Sequence, residues 1–305
     1  MARYLAGRLA QSILVLAGLT IVVFVVSRQI GDAARLMLPL DATEAQYLQM
    51  REYLGLNKPL IVQFGDYVWD LLRGDFGISL WQNVPAMDLV FSRFPATALL
   101  ASCTVVFALA LALPIGIAAA LKPGSIFDRM STVVSILGLS IPPFWLALLL
   151  ITFFAVHLGW FPTSGYGGAQ YLVLPMLALA AQSVGRLVQV VRSSMLDVLN
   201  AQYLTTARSK GLRERVVLIR HALRNALLPI LTIAGDEMVG LLNGSVAIEF
   251  IFGWPGIGQL TLAAIQQRDF AVIQACVMFV AVLVVVVNFV IDMLYAWSDP
   301  RIRYA

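Results

Sequence analysis

Tyr203-Leu204-Thr205-Thr206-Ala207-Arg208-Ser209-Lys210-Gly211-Leu212 sits near the middle of a basic segment, 191–225, flanked on both sides by long apolar runs. Leu196, Leu199, Tyr203 and Ala207 recur at spacings of three and four, the period of one helix face. Arg208 and Lys210 fall in the last turn, where cations complement the helix dipole, and Gly211 follows where a left-handed residue would end the helix. Leu212, Val216, Ile219 and Leu223 then mark a second apolar face. The spacing predicts a helix–Gly–helix hairpin with a basic outer surface: seven Lys and Arg against Asp197 and Glu214. Pattern alone leaves two readings, an interfacial hairpin lying on lipid or a surface that docks on another protein.

Moving outward, the chain is 60% hydrophobic and 12% charged, too little charge to cover a water-soluble surface. Its apolar residues fall in runs long enough to cross the roughly 30 Å hydrocarbon core as helices. Six such runs occur, near Leu9–Ser27, Thr97–Leu121, Ser131–Leu158, Tyr171–Val191, Ala226–Phe250 and Phe270–Trp297. The sequence therefore predicts an all-α integral membrane protein with six transmembrane helices. Pro114 and the Pro142-Pro143 pair fall inside runs and are expected as kinks rather than ends. The first run is too long for a signal-peptide core and lacks a following small-x-small site, so an uncleaved first helix is expected.

Basic residues orient the spans. With the N-terminus inside, Arg3, Arg8, Lys122, Arg129, the 191–225 loop, Arg301 and Arg303 all face the cytoplasm. Gly159–Gln170, opposite, has no Lys or Arg and offers Trp160, Phe161 and Tyr166 to the interface. Both termini are expected to be cytoplasmic. The net charge of +4 then reflects topology and anionic lipid, with no need for a nucleic-acid partner. The expected divisions are residues 1–27 as the N-terminal transmembrane helix, 28–96 as a small helical extracytoplasmic insert, and 97–305 as the core with five spans.

Chemistry has little to work with. His157 and His221 sit in no HExxH pattern, Cys103 and Cys276 have no metal-ligand spacing, and no GxSxG elbow occurs. No catalytic or metal-binding residue is assigned, and the cysteines read as small buried hydrophobes. A phosphate-binding loop needs Gly-Lys-Ser/Thr, yet the three lysines follow Asn57, Leu121 and Ser209. Any use of ATP must pass through another subunit.

The quoted decapeptide resembles the "EAA" signature of ABC importer permeases, continued by His221-Ala222-Leu223-Arg224-Asn225-Ala226 and Leu228-Pro229. It departs from the general signature at Thr205 and Thr206 and in the longer stretch from Gly211 to Pro229, and both departures resemble the dipeptide/oligopeptide branch. Leu54-Gly55-Leu56-Asn57-Lys58-Pro59-Leu60, Gly74-Asp75-Phe76-Gly77-Ile78-Ser79, Trp254-Pro255-Gly256-Ile257-Gly258 and Asp299-Pro300-Arg301-Ile302-Arg303-Tyr304 are similar to further landmarks of that branch, in order. The resemblance implies a type I importer transmembrane domain working with a second homologous permease, two ATPase subunits that bind ATP and Mg, and an extracytoplasmic solute-binding protein. Tyr203, Thr205, Thr206, Ala207, Lys210, Gly211 and Leu212 would couple to the ATPase, Ala207 being small for close approach. Trp254, Pro255 and Gly256 would face the binding protein. The substrate implied is a di- or oligopeptide or related small solute, entering through a prokaryotic cytoplasmic membrane.

Ionisable groups within spans are costly and default to functional hypotheses. Asp236 and Glu237 lie midway along the fifth run, with Asn243 and Ser245 on neighbouring turns, and Asn288 shares a face with Asp292 on the last. These read as a polar translocation path, the alternative being pairing with arginines for assembly, which is the expectation for Asp292. Gly240 and Gly244 form a GxxxG that would permit close helix contact. A proton-coupled secondary transporter using Asp236 or Glu237 is the rival class.

Overall fold

The computed structural model describes residues 2–29, 38, 42–53 and 55–298; the landmarks at Leu54 and 299–304 lie outside the described residues. Twelve helices carry the described chain. They are α1 (Ala2–Gln29), α2 (Glu44–Tyr53), α3 (Leu60–Leu72), α4 (Ala86–Leu121), α5 (Ile126–Ser140) and α6 (Pro143–Leu150), the last prolonged by a π-helical stretch at Ile151–His157. Then follow α7 (Ala169–Leu199), α8 (Gln202–Ser209), α9 (Glu214–Gly244, π-helical at Val217–Leu223), α10 (Val246–Ile251), α11 (Ile257–Gln267) and α12 (Phe270–Ser298). Among the described residues the only β pairing is an isolated bridge between Ile78 and Pro85.

Five helices are each long and apolar enough to cross a membrane: α1, α4, α7, α9 and α12. Where the sixth run was expected, α5 and α6 are long and apolar enough only together, and they are bent by 98° at the break between them, the geometry of a broken span or a re-entrant loop. Here Pro142-Pro143 is an end and a start, not the expected kink. Ile141, ahead of a proline, is extended at φ −83° and ψ 121°, as the proline ring demands of its predecessor. Pro143 opens α6, where its missing N–H leaves nothing unsatisfied. Gln182 of α7 donates to the carbonyl freed at Ile141, at 3.3 Å. Pro114, Pro175 and Pro229 stay inside continuous helices.

Two boundaries differ from expectation. The second span starts at Ala86 rather than Thr97, and its 36 residues reach about 54 Å, well past the bilayer core. The fifth starts at Glu214, so the hairpin's second arm and the span are one helix; it stops at Gly244, and Val246–Ile251 is a separate turn.

The chain forms two compact units, residues 1–95 with 259–285, and 96–258 with 286–305. In the first, Phe24 of α1 meets Phe64 edge-on and Tyr67, with ring centroids 5.2 and 5.6 Å apart. Buried Asp269 accepts from Ser79 Oγ at 2.6 Å and from the Leu80 amide at 3.1 Å, and the Trp81 indole donates to the Gln267 carbonyl.

In the second unit, α5 and α7 pack backbone to backbone through reciprocal glycines. A Cβ on Gly185 would lie 2.5 Å from the Ser135 carbonyl oxygen, and one on Gly138 would lie 2.7 Å from that of Ala181. Close approach through small residues is how apolar helices associate where lipid offers no hydrophobic drive. Gly235 likewise abuts Ile291. The GxxxG expectation fails within this chain: nothing lies within 4 Å of a Cβ on Gly240 or Gly244, because both border an open cavity. Near the basic loop, Arg192 of α7 pairs with buried Asp128, which also accepts from the Gly124 amide.

Candidate translocation cavity and coupling surface

One cavity in the second unit, about 180 Å3, is polar. Helix α7 lends it Gln182, Ser183 and Arg186, spaced to share one face, and α9 lends Asp236 and Glu237. Buried Glu237 accepts from Ser183 Oγ at 2.5 Å and pairs with Arg186 at 3.0 Å. Asp236, one residue earlier, is exposed, and among the described residues it makes no hydrogen bond or ion pair. Arg186 is absent from the sequence-based site, although an arginine inside the run Tyr171–Val191 is itself a strong signal of a polar partner. A larger cavity of about 620 Å3, lined by residues such as Phe107, Leu111, Val134 and Leu177, is almost wholly apolar and suits no charged solute.

The other expected path residues are not in this cavity. Asn243 is exposed and donates to the Val239 carbonyl one turn back. Asn288 is exposed on α12 and lies outside the lining. Ser245 is buried and donates to Glu249 at 3.0 Å, so its hydroxyl is committed to packing.

That carboxyl group organises the segment after α10. Glu249 is 0% exposed. Its Oε1 accepts from Thr97 Oγ1 at 2.8 Å, and Thr97 Oγ1 in turn accepts from the Ile257 amide at 2.8 Å. Gly256 abuts the carboxyl group so closely that no side chain fits there. The Trp254 indole donates to the Ala96 carbonyl at 2.8 Å and stacks edge-on against Tyr166. Trp254 and Gly256 therefore point into the protein, contrary to the expectation that they face a partner; Pro255 alone of the three is half-buried. Glu249, a carboxylate inside the run Ala226–Phe250, was itself a local signal of a polar partner, but its pairing with Thr97, 152 positions away, was not legible.

On the basic loop, Gly211 ends α8's turn at φ +76°, as its sequence position predicts, with its amide donating to the Arg208 carbonyl. The faces differ from expectation. The helix breaks at Asn200 and Ala201, which resets the phase, so Leu204 and Ala207 are buried and Tyr203 is exposed. Ala207 packs within its own chain, which removes it from the expected partner surface. On the second arm, Val217 and Ala222 are buried, while Leu212, Val216 and Ile219 of the expected inner face are exposed. Two contacts close the hairpin: Arg208 forks onto Glu214 at 2.9 and 3.2 Å, and Asn225 donates to Tyr203 Oη at 2.9 Å. Thr205, Thr206 and Lys210 are exposed beside Tyr203 and Leu212, giving a mixed apolar and cationic surface.

Among the described residues no group of three or more His, Cys, Asp or Glu could hold a metal ion. Residues 112–304 match the family described as the binding-protein-dependent transport system inner membrane component, and residues 1–101 match the N-terminal part of such membrane components. The chain is 42% identical to the oligopeptide transport system permease protein AppB of Bacillus subtilis, with both proteins covered in full. It is 38% identical over full length to the glutathione transport system permease protein GsiC of Escherichia coli K12. In fold it is similar to the inward-facing MetNI methionine ABC transporter, with a TM-score of 0.60 at 19% identity over 70% of this chain and 97% of that one. This ancestry sets aside the proton-coupled reading and accounts for a membrane protein with a surface hairpin and no nucleotide-binding loop. The chain belongs to the binding-protein-dependent transport family and is the permease subunit of an ABC importer, a transport subunit whose ATPase is a separate chain.

Proposed function

We propose that this permease carries peptides, or peptide-like solutes such as glutathione, inward across a prokaryotic cytoplasmic membrane. The observation that carries the reading is the polar cavity of Arg186, Asp236 and Glu237 within otherwise apolar spans, since charged groups persist there only when something uses them. Relatives covering the whole chain are named for oligopeptide and glutathione transport, which favours this substrate class.

The assembly we propose has a second homologous permease, two ATPase subunits inside and a solute-binding protein outside. Both termini and the α8–α9 hairpin lie on the cytoplasmic side, where the hairpin's exposed Tyr203, Thr205, Thr206, Lys210 and Leu212 dock on an ATPase subunit. Gly211 sets the reversal that presents them. ATPase closure draws the hairpins together and switches the cavity's access. The 252–258 segment, held by Glu249, lies on the side of the binding protein.

The test is co-purification of the tagged chain from its native membrane, followed by mass spectrometry of the small molecule held by the binding protein. A Walker-type ATPase accompanying the chain and a peptide in the binding protein are expected. A sugar or a metal chelate in that protein would overturn the substrate class, and absence of any ATPase would overturn the assembly.

A further inference from the structure

We infer that the two adjacent carboxylates have different jobs: Asp236 receives a protonated amine of the passing solute, while Glu237 serves to hold Arg186. The proposal rests on the reading of the cavity as part of the peptide path.

The argument begins with pairing. Glu237 is buried and already holds Ser183 and Arg186, leaving it little capacity for a transient ligand. Asp236 is exposed at the cavity wall, with no hydrogen bond or ion pair among the described residues. Carboxylates in the lining outnumber guanidinium groups by one, so the cavity carries an excess formal negative charge. In a low-dielectric surround such an excess attracts cations strongly and repels anions. A zwitterionic peptide presents one ammonium and one carboxylate. The ammonium matches Asp236, and a charge-assisted N–H···O contact is the strongest polar contact the cavity has to offer.

Space points the same way. Gly240 is one turn from Asp236 on the same helix and lines the same cavity, and nothing lies within 4 Å of a Cβ placed there. The glycine keeps the approach to the carboxylate open. It also gives a site to which the charge can be moved.

The experiment uses the intact importer, reconstituted in proteoliposomes with its binding protein, and measures uptake of trialanine per ATP hydrolysed. Asp236→Asn is expected to lower that ratio about tenfold, the scale of one lost charge-assisted contact. Asp236→Glu is expected to retain most of it. Asp236→Asn combined with Gly240→Asp, which moves the carboxylate one turn along the same wall, is expected to raise uptake above that of Asp236→Asn alone, short of the unsubstituted level because the new side chain narrows the cavity; a purely structural role for Asp236 would not be rescued this way. Wild-type uptake by Asp236→Asn overturns the assignment. So does failure of that variant to assemble with its partner subunits, which would make Asp236 a subunit contact. No trialanine uptake by the unsubstituted importer would instead overturn the peptide reading, and the assignment with it.

Discussion

Thr97 and Glu249, on different helices and 152 positions apart, share a buried hydrogen bond of 2.8 Å, and the same threonine oxygen accepts the Ile257 amide. One carboxyl group thereby ties the fourth turn of α4 to the segment that follows α10. Buried donors stripped of their acceptor are costly, about 1–3 kcal/mol for each group left unsatisfied. Glu249→Ala orphans the hydroxyls of both Thr97 and Ser245, so a loss of about 2–6 kcal/mol of local stability is expected. Glu249→Gln keeps one carbonyl oxygen and should lose less. Thermal inactivation of the purified complex measures both. Equal midpoints for Glu249→Ala and the unsubstituted protein would show that the network contributes nothing.

The glycines separate into two kinds, and substitution should tell them apart. Gly185→Ala would press a methyl group onto the Ser135 carbonyl, 2.5 Å away, and must part α5 from α7. Overpacking of this sort typically costs about 1–3 kcal/mol. Gly240→Ala meets nothing within 4 Å and should leave folding unchanged while narrowing the cavity. The first variant should show reduced yield of assembled complex. The second should show normal yield with slower uptake. The reverse pattern would mean that the GxxxG, not the Gly138 and Gly185 contact, carries the helix packing.

How far the sequence could be read depended on the range of the interaction. The apolar runs needed only local composition, and Gly211 needed only its place after Arg208 and Lys210; both emerge in the structure. Faces were harder. Extending one helical period from Leu196 to Ala207 assumed an unbroken helix, and the break at Asn200 shifted the phase enough to bring Leu204 inside in place of Tyr203. Long-range pairings were out of reach: Ser183 with Glu237, and Thr97 with Glu249, become neighbours only through helix packing. Arg186 and Glu249 are exceptions, charges in apolar runs that local reasoning could have flagged even though their partners could not be named.

The Arg186–Glu237 pair makes a charge-based prediction. Arg186→Gln leaves two carboxylates without their counter-charge, and Glu237→Gln removes the cavity's negative excess. Each single change should slow uptake. The double variant Arg186→Gln with Glu237→Gln keeps one carboxylate in excess, at Asp236, and should transport better than either single variant. Glu237 is buried while Arg186 is exposed, so the penalty for losing the partner falls on the stranded carboxylate, and removing that carboxylate as well relieves it. A double variant with the product of the two single defects would show that the pair acts independently and that net charge in the cavity is irrelevant.

The last prediction concerns Gly211. Its φ of +76° is a region that residues with a Cβ seldom adopt, and nothing lies within 4 Å of where a Cβ would stand. The cost of a substitution there is therefore backbone strain alone, about 1–3 kcal/mol for a β-branched residue. That is too little to unfold spans held by interhelical contacts elsewhere, yet enough to reopen a reversal closed by the Arg208–Glu214 pair and the Tyr203–Asn225 hydrogen bond. Gly211→Val should insert normally and lose either ATPase association or stimulation of hydrolysis by loaded binding protein. Gly211→Asn, which tolerates left-handed backbone better than other residues with a side chain, should retain both. Normal substrate-stimulated hydrolysis in purified Gly211→Val complexes would eliminate the coupling role and leave a hairpin that rests on lipid.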